Sequence, residues 1–444
     1  MTGVRRRHPD APGAGTSVGR RITRDSLWLS AGYAVTSVSG FVFWMLAALW
    51  IPQAQLGLEA SALAVIMAAA ALASNGPGSA LVVMLPLGGP AAWSLLGRAY
   101  AVTAGLGAAT GLVAGGLVAM VLRPDPPVVV TVAVVTLCTV VWALFNVLTQ
   151  ALAGAADARS TLLLNGSANL LKLALLAVLA FGAVGPAHPL VTATIVPAVC
   201  AVAVGALVLV PRALRREQAR RPSTHTWNAG VARAFGLFTA QNAMAVGVVL
   251  CAGLSLSFVV TALASPEEGA VFAIAYQFSV ALDLVGVAVA TALAKSAAAD
   301  FDPSAVLARS YSRSVFFVVG ALGVCATVAT PLLFLIAGKA YPPLYGMAVV
   351  GALALASLIR PGYDIWSALS RARHRVRPVL WSNLLYVLIL FTVVLLLVPS
   401  YGALGAALAM VCGACALAAV GAVGLRRVRG LAPAYALDPK GVAA

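Results

Sequence analysis

Four ionisable residues fall inside long apolar stretches of this 444-residue chain: Lys172, Asp283, Arg360 and Asp364. A charge in such surroundings is costly, so each is a candidate for function. Lys172 shares a helical face with Asn165 and Asn169, at spacings of seven and three. An ammonium beside amides suits an anionic sugar-lipid: the cation meets a phosphate, and the amides read hydroxyls. Asn146 and Gln150, with Gln241 and Asn242, would extend that polar lining, and Arg360 would add a second cation. The plainer alternative pairs Lys172 with Asp283 as a tie across the molecule. Asp283 is the candidate coupling carboxylate, since protonation or Na+ binding would remove its charge and bias one arrangement of the helices. Arg360 and Asp364, four residues apart, read first as a local bridge, with Asp364 as a second coupling candidate.

The elements holding these residues are membrane spans. The chain is 61% hydrophobic and 9% charged, which is not a soluble balance. Twelve apolar windows are expected at 28–50, 60–85, 95–122, 128–150, 161–181, 188–210, 235–261, 270–294, 311–337, 345–368, 377–398 and 402–425. No connection is long enough for a soluble catalytic domain. Two segments should weaken their helices and act as hinges: Asn75-Gly76-Pro77-Gly78 in helix 2, read as an interruption, and Pro361-Gly362 in helix 10. Gly107, Gly111 and Gly115 form a close-packing stripe on helix 3.

The net charge of +16 is distributed by side. Of 29 Lys and Arg, all but Lys172, Arg360, Arg123 and Lys339 fall in the N-terminal arm, the C-terminal tail or alternate loops on one side. The other side has Arg123 and Lys339 and the acidic Glu59, Asp125, Glu267 and Glu268. This is the positive-inside pattern; it places both termini in the cytoplasm and directs the basic groups to membrane lipids, not to nucleic acid. The six cysteines lie in apolar windows, and Cys412-x-x-Cys415 lacks the second pair or histidine of a metal site. Arg20-Arg21 precedes an apolar run too long for a cleaved leader, so helix 1 is retained.

Internal repetition follows. Gly205–Leu209 and Gly421–Leu425, each followed by arginines, are offset by 216 residues; Ala151–Ala153 and Ala368–Ser370 by 217; Gly185 and Gly402 by 217; Gly57 and Gly269 by 212. The expected fold is an all-α polytopic membrane protein, with twelve transmembrane helices in two six-helix lobes related as parallel repeats. The divisions are a basic arm 1–27, an N-lobe 28–210, a cytoplasmic linker 211–234, a C-lobe 235–425 and a tail 426–444. Two lobes facing a central cavity suit alternating access.

Several motifs point to one family. Pro399-Ser400-Tyr401-Gly402-Ala403-Leu404-Gly405 resembles the start of the last helix in polysaccharide and lipid-linked-oligosaccharide exporters. These are flippases of the multidrug/oligosaccharidyl-lipid/polysaccharide exporter superfamily. Ser265–Gly269 with Ala275-Tyr276-Gln277, Pro52–Gly57, Gly338–Tyr341, and Arg371–Pro378 with Asn383 are similar to turns and loops of the same family. The chain departs from it at Met84, where many members carry a basic residue before Leu-Pro. The resemblance implies a two-lobed exporter, not an enzyme, without cofactor, that moves a lipid-linked saccharide across the cytoplasmic (inner) membrane. The carrier substrate, membrane lipids and glycan-assembly proteins would be its partners. The alternative is an ion-coupled multidrug or organic-cation exporter of the same superfamily. A major-facilitator transporter lacks support, because its acidic-basic loop motif is absent from Leu85–Arg98.

Overall fold

The computed structural model of the protein describes residues 35–85, 91–122, 127–155, 157–181, 188–220, 229–299, 305–337, 341–372 and 376–428. The arm 1–27, the tail after Val428, Gly185 and the turn residues Gly338–Ala340 lie outside them. All regular elements among the described residues are helices. We number them α1 (Val35–Trp50), α2 (Gln53–Met84), α3 (Ala92–Val121), α4 (Val128–Gly154) and α5 (Ala158–Phe181). Helix α6 runs from Pro189–Val204 through a π-turn, Gly205–Leu209, into Val210–Arg220. Helix α7 likewise joins Ala229–Asn242 to Val248–Leu263 through the π-turn Ala243–Gly247. Then come α8 (Pro266–Ala299), α9 (Ala305–Ala337) and α10, which is Pro343–Ile359 continued by Pro361–Ala372. The run Val376–Val428 is broken at Gly402, dividing it into α11 and α12.

Among the described residues nine helices, the last run counted undivided, are long and apolar enough to cross a membrane. With α1, α8 and the break at Gly402, the set is consistent with twelve crossings. The chain is a multi-pass membrane protein of all-α fold. Large apolar side chains such as Met120, Val129, Leu137 and Phe317 are exposed, as a lipid-facing surface requires.

Small residues set the packing. A Cβ on Gly111 would lie 2.9 Å from Cα of Thr136, and one on Gly115 2.7 Å from Cα of Val132, so the expected glycine stripe brings α3 backbone to backbone with α4. The first and second halves of the chain share one hydrophobic core, in which Phe43, Leu56, Leu190, Leu256, Phe272 and Leu390 are buried together. Helices α2 and α7 run antiparallel. Ser61 meets Ser257 and Thr261 at one end, and Gly76 abuts Thr239 at the other.

One expectation changes. Helix α2 is continuous through Asn75-Gly76-Pro77-Gly78, with Pro77 inside it. The Asn75 amide donates to the Ala71 carbonyl at 2.7 Å, and the two glycines serve close approach instead of a break. Within the segment 211–234, α6 extends to Arg220 and α7 starts at Ala229. Val210, Ala213 and Leu214 of that extension are buried, whereas Arg212, Arg215 and Arg216 are exposed, an amphipathic pattern that continues the helix past the apolar span.

Candidate functional site

The charged residues fall into two groups. In the second half of the chain, Arg360 sits where α10 breaks. Pro361 has no N–H to give to the preceding turn, so the helix ends at Ile359 and restarts. The break leaves Arg360 between two acids: Nη1 donates to Asp283 Oδ2 of α8 at 3.2 Å, and Nε stands 3.5 Å from Asp364 Oδ1. All three are half-buried. Asp283 therefore pairs within its own half and not with Lys172. The Arg360–Asp364 bridge is present as expected. Tyr276 and Tyr386 lie within electrostatic reach of the triad, and the Ser279 and Ser357 hydroxyls, 3.1 Å apart, tie α8 to α10 beside it.

A contact that the sequence reading passed over joins this triad to α7. The Tyr363 hydroxyl, three residues after Arg360, donates to Asn383 Oδ1 at 2.5 Å. The Asn383 amide in turn donates to the Ala245 carbonyl, inside the π-turn of α7. A π-turn shifts the helical hydrogen-bond ladder by one residue, and such turns recur at functional sites. In the sequence, Asn383 stands out only through the family likeness. Its signal was there, a carboxamide in the apolar run of α11 that must find a buried partner.

In the first half, Lys172 on α5 is half-buried, with Nζ 3.7 Å above the ring centroid of the fully buried Phe43 on α1. Among the described residues no carboxylate lies within ion-pair distance of it, so its charge is met by an aromatic face. Asn165 and Asn169 lie on the same helix, half-buried.

The other amides belong elsewhere. Asn146 on α4 donates to Ser74 Oγ of α2 at 3.3 Å, and Gln150 packs so tightly on Gly78 that a Cβ there would meet it at 2.5 Å. They form a polar seam between α2 and α4. Asn242 donates to the Phe238 carbonyl at 2.9 Å just before the α7 π-turn, and Gln241 is exposed.

Two further carboxylates were read only as outer charges. Glu59 of α2, 3% exposed, accepts N–H groups of Leu190 and Val191 at the start of α6 and the amide of Gln55. Glu268 of α8 accepts the N–H of Ala403 at the start of α12 and the hydroxyl of Tyr345. The Pro399–Gly405 motif thus has a local cause. Gly402 adopts φ 53°, and Glu268 fills the space where a side chain on it would stand. Cys412 and Cys415 are exposed and free, and no cluster of metal ligands occurs among the described residues.

No protein-family model matches the sequence, and no curated protein matches it either. Solved structures do match the fold. The inward-facing conformation of a multidrug resistance MATE family transporter of the MOP superfamily superposes with a TM-score of 0.63 at 14% identity, over 91% of this chain and 98% of that one. MATE in complex with MaL6 gives 0.66 at 16%, over 91% and 96%. A MOP superfamily transporter from Pyrococcus furiosus Vc1, described as having a binding pocket of reverse polarity that suggests a different function, gives 0.55 at 16%, over 92% and 95%. The fold of this chain is that of MATE transporters of the MOP superfamily.

Proposed function

We propose that the protein is a MOP superfamily transporter of the polysaccharide-exporter type, which flips a lipid-linked oligosaccharide or polysaccharide precursor across the cytoplasmic membrane by alternating access of lobes 28–210 and 235–425. One observation carries the reading: Asp283 and Asp364 are both engaged by Arg360, whereas Lys172 has no acid partner among the described residues. The charge around Lys172 is therefore locally positive. A phosphate-bearing headgroup gains from an unpaired ammonium in a low-dielectric setting, and an organic cation is repelled by it. Asn165 and Asn169 beside Lys172 would read sugar hydroxyls. The neighbour described as having reversed pocket polarity supports the idea that this fold can carry something other than a cationic drug.

Asp283 and Asp364 are the coupling acids in this reading. Binding H+ or Na+ at either would loosen its hold on Arg360 and free α10 at its break. An ion-coupled multidrug exporter is the second reading, favoured by the multidrug neighbour and by the same two acids.

The test compares lipid-linked glycans in cells with and without the gene. Accumulation confined to the inner leaflet, reversed by the gene, supports flipping. Unchanged glycans with new sensitivity to cationic dyes would transfer the protein to the multidrug reading.

A further inference from the structure

Helices α9 and α10 enclose a groove of about 310 Å³ that lies outside the charged groups described above. Gly320 on α9 leaves it open, since a Cβ there would still lie 3.5 Å from Leu358 Cδ1, while Gly323 on α9 and Gly351 on α10 let the two helices close up beside it. Its polar residue, Thr327, already gives its hydroxyl to the Gly323 carbonyl at 2.8 Å, so the lining offers hydrocarbon and no free donor. The rim residues Val324 and Val328 are exposed.

Position along the helix narrows the occupant. The groove starts at Val319, one turn inside Phe316, where the apolar stretch Phe316–Ile336 begins, and ends at Val328 near its middle. That is about 13 Å of helix, close to half of the roughly 30 Å hydrocarbon thickness. It therefore matches one leaflet, the one on the arginine-rich side. Helix α9 carries Arg309 and Arg313 in its first turns, below the groove. By the sequence pattern both arginines belong to the basic side of the chain, which favours a lipid with an anionic headgroup. On the inner wall, Val319, Ala354 and Leu358 pack with Leu282, the residue before Asp283.

We propose that the groove binds one acyl chain of an anionic phospholipid from the arginine-side leaflet, and that the bound chain braces α10 against α8 beside the Asp283–Arg360 pair. This site is independent of the transported substrate.

The experiment is native mass spectrometry of the full chain, reconstituted in vesicles of phosphatidylglycerol or of phosphatidylcholine and released into detergent. The expected result is a retained phosphatidylglycerol adduct, with little phosphatidylcholine. Gly320→Leu has room, because a Cβ there lies 3.5 Å from Leu358 Cδ1. It should cut the bound fraction at least five-fold, as should Val324→Trp at the rim. The double variant Arg309→Gln with Arg313→Gln should lower phosphatidylglycerol retention to the phosphatidylcholine level. Phosphatidylglycerol should also raise the thermal midpoint of the unsubstituted protein and not of Gly320→Leu. Full retention in both filling variants overturns the site, and equal retention of the two lipids overturns its anionic preference. A polyprenyl phosphate retained from cell membranes in place of phospholipid would overturn it in favour of the substrate's own tail.

Discussion

The Glu59 carboxylate receives the backbone N–H of Leu190 at 2.7 Å, so an acid on the second helix holds the first turn of the sixth. Glu268 does the same in the second half of the chain, receiving the N–H of Ala403 at 2.7 Å and so holding α12 from α8. A helix N-terminus carries unpaired N–H groups and a partial positive charge, and a buried carboxylate satisfies both.

Glu59→Gln keeps an acceptor but removes the charge. We expect a loss of about 1–2 kcal/mol, seen as a thermal midpoint a few degrees lower in detergent. Glu59→Leu, which leaves the Leu190 and Val191 N–H groups unmet, should lose more. An unchanged midpoint in both would show that water takes over the carboxylate's role.

Gly402→Ala places a Cβ on a residue at φ 53° and against the Glu268 carboxylate. The backbone cost is about 1–3 kcal/mol, to which the displaced acid adds. Purified yield should fall several-fold. The neighbouring Ala403→Gly, which removes one buried methyl, should cost only about 0.5–1 kcal/mol, which separates backbone strain from general sensitivity of the turn.

Asp283→Asn leaves Arg360 with Asp364 as its remaining acid, Arg360→Met leaves both acids without a counter-charge, and the double variant should be milder than the sum. A double-mutant cycle on thermal stability should return a coupling of about 1–3 kcal/mol. Additive effects would mean that the 3.2 Å contact contributes nothing. Under the proposed function both single variants lose transport at least ten-fold while inserting normally.

Lys172→Met preserves length and apolar contact with Phe43 and removes the cation. We expect normal yield with a fall in glycan flipping of ten-fold or more. Full transport by this variant would remove Lys172 from the substrate path.

The span pattern was legible because a bilayer forces long uninterrupted apolar windows, and the glycine stripe of α3 was legible because its four-residue spacing has one main use. The charged residues were legible as candidates for the same reason, but their partners were not. Sequence spacing reveals Arg360 with Asp364, one turn apart, and says nothing about Asp283, seventy-seven positions away on another helix. Asn75–Gly78 looked like a break because glycine and proline weaken isolated helices. In the folded chain, contacts with Thr239 and Gln150 hold α2 continuous. Asn146 and Gln150 read as lining because amides in spans often are, and their contacts with Ser74 and Gly78 were not legible from spacing. Glu59 and Glu268 were missed as caps because the ends they hold are far off in the sequence.

The seam between α2 and α7 is fastened unequally at its two ends. At one end Ser61 joins Thr261 at 2.5 Å and the Ser257 carbonyl at 3.2 Å. At the other, Gly76 simply touches Thr239. Parting the first end breaks directional bonds that water must replace one for one, at about 0.5–1.5 kcal/mol each. Parting the second loses only surface contact. Ser61→Ala should therefore alter the traffic through one door of the molecule and leave the other untouched, giving the two directions of the cycle separate experimental handles.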